Sequence, residues 1–539
     1  MSESGIEKLK CRFGYQHFSL KYMSLRSQEG CQLCRTVLKA SGRFTAAVAT
    51  EALMVFAMHG NQPVWTTNGD VIDSLGLYGS DGQIRTTVLV YTAADDPAAR
   101  FISRRPMASD VGSNLVSQQI KTWINECQTQ HHTCPSIENP PLPTRVIYVG
   151  REVDGSWDGL KLYVSETAEK EHYAALSYCW GKDENVVTTN DNINSHKDKL
   201  EFANLPKTIQ DAITVTRSLG LLYLWVDALC ILKDDKADTA REIQKMGHIY
   251  MNATVTIAAS TARSASKGFL QPRKPPESCE FAVRTPDGKD GHMHVSAVVR
   301  HFFAFHPLDS RGWTLQEHQL SPRLILYSEK EVIWRCRKDK SKTIIPGQII
   351  YQQPVRLLPS GIFEACISRA GRTVTQQTQL WTRIVCEYSG RQLTVAVDKL
   401  NALAGIAKVL ATFWDDVYIA GHWGRCLIQH LAWWAIFPSS NKLPTDYAPS
   451  WSWLSGGKCI RFDIVDVPTA RMVEMPLLEG ADWQCGQRLA LVLSGPVIDK
   501  GSSLWSRLRV KKEYPGEQML NYDIIKTMHA REMGGFCSS

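Results

Sequence analysis

YAALSYCWG, residues 173–181, is a short apolar run that ends in Ser177, Tyr178, Trp180 and Gly181. Its composition is that of a buried strand, and the glycine marks where the strand stops. A strand that ends in a hydroxyl, an indole and a glycine has the makings of the floor of a site. The segments that follow decide what kind of sheet it belongs to. LPKTIQDAITVTRSLG (205–220) places Pro206 at a helix start, Ile209, Ala212, Ile213, Thr216 and Leu219 on one face, and Gly220 at its stop. LLYLWVDALCIL (221–232) is an almost unbroken apolar run with one acid, Asp227, which fits a parallel strand buried on both faces. Asp234 or Asp235 then caps a helix with Ile243, Met246 and Tyr250 on one side, and ATVTIAAS (253–260) is a third strand. Strand–helix–strand–helix–strand predicts a parallel α/β sheet with strands near 173–178, 222–231 and 254–259 and helices on both faces. In such sheets ligands bind beyond the carboxyl ends of the strands, where Ser177, Trp180 and Gly181 lie, with Asp227 late in its strand or just beyond it.

The wider chain fits two to four domains, at 539 residues. A Cys- and His-bearing region covers 1–143 and ends at the proline-rich ENPPLPT. The α/β region covers 144–340. A mainly helical, Trp-rich region covers 341–475, and a tail of weak periodicity covers 476–539. The net charge of +7 comes from 61 basic and 54 acidic residues with no long basic run, so nothing points to nucleic acid. No apolar stretch is long enough to span a bilayer, and the N-terminus lacks a signal-peptide pattern. The expectation is a cytoplasmic protein, whose 15 cysteines are mostly buried thiols.

Two cysteine segments stand out. GCQLC holds Cys31 and Cys34, and ECQTQHHTC holds Cys127, His131 and Cys134, which share a face if helical. A C-x-x-C pair plus two of the other three makes four soft ligands, which suits a structural zinc with no open position for water. Cys11 and His17 are further candidates, and buried thiols or a labile disulfide are the alternatives.

Several blocks together resemble the fungal heterokaryon-incompatibility (HET) domain: YAALSYCWG, LPKTIQDAITVTRSLGLLYLWVDALCI, MGHIYMNATVTIAAS and RGWTLQEHQLSPRLI. WINECQTQHHTC and LPTRVIYVG precede them, and RQLTVAVDKLNALAGIA, YIAGHW and YAPSWSWLSG follow, so the resemblance spans most of 115–457. The family usually has Gln where this chain has Lys233. The resemblance implies non-self recognition and programmed cell death; the alternatives are a non-enzymatic, self-associating signalling module and an enzyme or regulator of a biosynthetic cluster, near whose genes some family members sit. HET domains are in turn similar to Toll/interleukin-receptor (TIR) domains, several of which cleave NAD. That likeness implies a TIR-like, flavodoxin-like fold, self-association through the domain, an unidentified protein partner, and NAD as substrate rather than cofactor.

By the same likeness, RGWTLQE places Glu317 four residues after Trp313, at the position of the TIR catalytic acid. Glu317 would stabilise an oxocarbenium-like centre. Trp180 or Trp313 would stack on a base, Ser177 and Gly181 would approach a ribose or phosphate, and Asp227 would bond a ribose or orient Arg311. The structural alternatives are an ion pair from Glu317 to Arg311 or Arg323, a buried structural Asp227, and core tryptophans. With no evident base near Ser177 and no G-x-S-x-G elbow, a serine hydrolase is rejected.

Overall fold

In the computed structural model Tyr173–Ser177 is a strand buried at every position. The structure describes residues 15–41, most of 52–343, most of 373–462, and short strands at 471–474 and 492–494. Cys11 and the expected tail, apart from 492–494, lie outside the described residues. The chain divides into two compact units.

One unit comprises residues 1–126, 268–305 and 325–355. Its seven-stranded antiparallel sheet runs in the order 15–19, 52–59, 74–78, 84–91, 290–297 and 278–284, with 62–63 paired to 52–59. Met23, Cys34, Val37, Leu77, Val88, Val90 and Val295 form its core.

The other unit comprises residues 127–267, 306–324 and 356–539. The elements of the eight-stranded sheet and the helices beside it begin, in chain order, with β1 (Arg145–Tyr148), β2 (Lys161–Val164) and β3 (Tyr173–Ser177). Next come α1 (Lys207–Ser218), β4 (Tyr223–Trp225), α2 (Asp227–Cys230), α3 (Lys236–Asn252), β5 (Val255–Ala258) and α4 (Trp313–Leu320). After these come β6 (Arg323–Tyr327), β7 (Val332–Cys336), β8 (Lys342–Thr343), α5 (Val374–Ser389) and α6 (Asp398–Trp414). The eight strands join in the order β8-β7-β6-β5-β3-β4-β1-β2. The expected parallel pairings are present: Ala174 faces Leu224 on β4 and Val255 on β5. The sheet as a whole is mixed, because β4–β1 and β1–β2 are antiparallel. Between β1 and β2 lies only a small hairpin at 152–157, and without a crossover helix the chain can only return antiparallel.

Local chemistry explains the elements. Pro206 precedes α1, and Gly220 at φ +79° stops the chain behind it. Asp235 caps α3, accepting from the N–H groups of Ala237 and Asp238 at 2.8 and 3.0 Å. The α3 helix is pinned to β1 by a buried ion pair between Asp238 and Arg145, whose Nε also donates to the Cys230 carbonyl at 2.7 Å. The run 221–232 departs from expectation. Only Tyr223–Trp225 is strand, and Asp227–Cys230 is a helical turn. A fully apolar run gives no periodicity to separate strand from buried helix.

The C-terminal part packs α6 against α4 and α3, and α5 against the strand Lys458–Phe462. Trp381, Trp423 and Trp453 are fully buried there with Leu315, Leu320 and Ile406. These tryptophans therefore fill a core. Among the described residues, no helix is long and apolar enough to cross a membrane.

Candidate functional site

The floor of the site is the carboxyl end of β3. Ser177 closes the strand, is fully buried, and pairs across to Ala258 on β5. Its hydroxyl donates to Glu317 Oε2 on α4. Glu317 is 7% exposed. Burial pushes its carboxyl up to about 7, against the opposing effects of the Ser177 bond, the Arg311 charge and Tyr250. Tyr250, from α3, donates its own hydroxyl to the Leu176 carbonyl at 2.9 Å. The sequence reading missed His318, whose Nε2 lies 3.1 Å from Ser177 Oγ. With Glu317 ionised, the single Ser177 proton points to the carboxylate. The imidazole must then donate to the serine oxygen rather than take its proton. In that protonation state the histidine is not set to act as a base on Ser177.

A second layer lies at the half-buried rim. Trp180 Nε1 donates to both oxygens of Asp227, at 3.1 and 2.9 Å. Asp227 is the first residue of α2, so the helical turn that replaced the expected strand is what aims it at Trp180. Arg311 Nη1 donates to the Tyr178 carbonyl at 3.0 Å. Burial works against the Arg311 charge, but Glu317 and Asp227 together hold it above its ordinary value. The Lys233 ammonium sits 4.8 Å from the Trp180 ring centre. Burial lowers its pKa, with Asp227 opposing. Gly181 has φ +80°, and a Cβ there would lie 2.2 Å from Ser264 Cβ, so the 264 loop fills the space a side chain would need.

Ser177, Glu317, Trp180, Asp227 and Arg311 thus converge. Trp313 does not join them. Its Nε1 donates to Asp398 on α6 at 3.3 Å, and its ring packs on the C-terminal core. Arg323 is not the partner of Glu317 either, because it donates to the carbonyls of Thr254 and Pro135.

The cysteine cluster is partly as expected. Cys127, His131 and Cys134 come together, and the fourth member of the group is Cys336, at the end of β7. All four are buried and their ligand atoms lie within 4.8 Å of one another. The 114–130 helix ends at Gln130, so a turn, closed by Cys134 N–H to the His131 carbonyl at 3.0 Å, replaces the expected continuous helical face. Three thiols and one imidazole suit tetrahedral zinc, whose ligand atoms stand roughly 3.3–3.8 Å apart. Cys31 and Cys34 are not members of this group. Cys34 is buried in the apolar core of the antiparallel sheet.

The fold and the site define an α/β domain with a buried carboxylate at a strand end. Residues 173–317 match the family described as Heterokaryon incompatibility protein (HET), so the chain carries a HET domain over that span, from the first residue of β3 to Glu317 itself. No curated protein and no solved structure matches the chain.

Proposed function

We propose that this HET-domain protein acts in non-self recognition and cell death by cleaving NAD at a TIR-like site, with Glu317 as the acid. One observation carries the reading: a buried carboxylate bonded to Ser177 where the strand order turns. From β3 the chain goes first to β4 on one side and then to β5 on the other. Doubly wound sheets bind ligands at such a reversal. An ionised Glu317 would stabilise the positive charge that develops on the ribose as neutral nicotinamide departs and water adds. Ser177 and His318 hold the carboxylate in place. Asp227, clamped by Trp180, would accept from ribose hydroxyls, and Arg311 and Lys233 would meet phosphate. Lys233 already covers part of the Trp180 ring, which favours an anchoring role for that indole over base stacking.

The test is incubation of purified protein with NAD, with and without crowding to promote assembly, followed by measurement of free nicotinamide. Release that falls at least ~100-fold in Glu317→Gln supports the reading. No release from the assembled parent protein overturns it. The near-complete burial of Ser177 and Glu317 favours one second reading. In it the same contacts pin a non-enzymatic module that self-associates and recruits a partner, and the parent protein releases no nicotinamide while still assembling. We further propose that Cys127, His131, Cys134 and Cys336 hold one structural zinc, which metal analysis of the purified chain would count.

A further inference from the structure

The metal-ligating group leaves the C-x-x-C pair of residues 31–34 unused. Cys31 is the residue just before the helix Gln32–Ser41, and Cys34 lies in its first turn. The approach is fixed by a tight turn. Gly30 has φ +97°, Cys31 N–H donates to the Arg26 carbonyl at 2.9 Å, and the Cys31 carbonyl accepts from Arg35 N–H at 3.1 Å. The two thiols then sit in unlike surroundings. Cys31 is partly exposed; Arg26, paired with Glu29 at 2.5 Å, and Arg35 flank it in sequence. Cys34 is 3% exposed, in the core with Met23, Val37 and Leu77.

The electrostatics follow that asymmetry. The backbone N–H of Cys34 holds the Cys31 thiol below its ordinary value, helped by a hydrogen bond from the Cys34 side chain, the Leu33 N–H and the Arg26 charge. Burial pushes the Cys34 thiol up to about 12, and its bond to Cys31 adds to this. A partly exposed thiol at the start of a helix, backed by a buried one in hydrogen-bond contact, is the arrangement that thiol–disulfide exchange needs.

We propose that Cys31 and Cys34 form a redox-active dithiol that exchanges with small anionic disulfides of the glutathione type. The Cys31 thiolate attacks one sulfur of glutathione disulfide. That S–S bond breaks, a mixed disulfide forms on Cys31, and the first glutathione leaves as thiolate and takes up a proton. Cys34 gives its proton to solvent and attacks the Cys31 sulfur. The Cys31–Cys34 bond forms and the second glutathione leaves. Two electrons pass from the protein dithiol to the small disulfide, and two protein S–H bonds are replaced by two on glutathione. Cys279 is buried in the same core, its Sγ 3.5 Å from Thr36 Oγ1.

Trypsin cuts after Arg26 and Arg35 and releases both thiols on one peptide, SQEGCQLCR, residues 27–35. The full-length native protein is equilibrated in glutathione buffers of increasing oxidised fraction, quenched with an alkylating reagent and digested. The expected result is loss of both alkylation sites on that peptide together with two hydrogens. In the reduced protein Cys31 should alkylate at least ~10-fold faster than Cys34. Cys34→Ser should accumulate one glutathione on Cys31, and Cys31→Ser should accumulate none on Cys34. A peptide that keeps both sites in oxidising buffer overturns the proposal. So does glutathione that stays on Cys31 of the parent protein without closing the internal bond, or a Cys34 that reacts first. If a variant fails to fold, the parent measurements decide alone.

Discussion

Glu317→Gln separates a catalytic carboxylate from a structural one, because the two roles give opposite changes in stability. Glu317 in the folded chain titrates at about 7 against an ordinary 4.5, with burial as the main cause. The folded state therefore holds this proton more tightly than the unfolded chain does. As pH rises from about 4.5 to about 7, the unfolded chain ionises first, and the fold loses stability across that window. At ~1.4 kcal/mol per pH unit, the loss is about 3 kcal/mol once the pH passes 7. A glutamine has the same shape, accepts the Ser177 hydroxyl, and never carries the charge. Urea unfolding should find the two proteins within about 1 kcal/mol of each other at pH 5. At pH 8 the variant should be the more stable, by about 1–3 kcal/mol, the lower figure allowing for an Arg311 left with Asp227 as its negative neighbour. Nicotinamide release by the parent should climb with pH through about 7 and be nearly absent from the variant. A variant less stable than its parent at pH 8 refutes this reasoning, because the carboxylate would then be half of a stabilising ion pair.

Three other outcomes follow from the packing. Gly405→Ala on α6 would bring a Cβ within 2.6 Å of Gln316 Oε1 and 3.1 Å of Gly247 Cα, and overpacking of this kind costs about 1–3 kcal/mol in urea unfolding. Asp238→Ala strips the buried Arg145 of its counter-charge and leaves the Leu232 N–H without its acceptor; a loss of about 3–5 kcal/mol is expected by the same measurement. Burial opposes the Asp238 charge, but the Leu232 N–H and Arg145 outweigh it and hold the acid below its usual range, so its contribution is present above that range and fades as pH falls through the lowered value. Cys336→Ser should drop bound zinc from one per chain to a small fraction, and a chelator should lower the melting temperature of the parent but not of the variant.

The parts of the fold that were legible in the sequence are those with local signals. Pro206 and Gly220 bracket α1, Asp235 caps α3, and the alanine- and valine-rich runs are the strands β3 and β5. The parallel core followed from that alternation. What was not legible depends on distant partners. The strand end at Asp227 could not be fixed because its neighbours are all apolar, and the partner of its carboxylate, Trp180, is 47 positions away. His318 carries no spacing signal toward Ser177, from which it is separated by 141 positions. Cys336 is a single cysteine at a strand end, with nothing in VIWRC to tie it to residues 127–134. The C-x-x-C spacing of 31–34 was visible but drew the wrong partner set. Spacing shows that two ligands can meet, and burial decides what else they meet.

Two adjacent residues of α4 face opposite ways. Glu317 reaches the Ser177 hydroxyl, while Gln316 accepts the Gly405 N–H of α6 at 2.8 Å, at a crossing so close that Gly247 of α3 lies against Gly405. The short helix therefore joins the carboxylate on one side to the C-terminal helices on another. Any event that slides α6 along that glycine contact moves Glu317 relative to β3, and displacement of a positioned group by about 1 Å is enough to change a rate by ~100-fold. If Glu317 is the acid, a substitution at the Gly405 contact should therefore change the rate without altering any residue of the site.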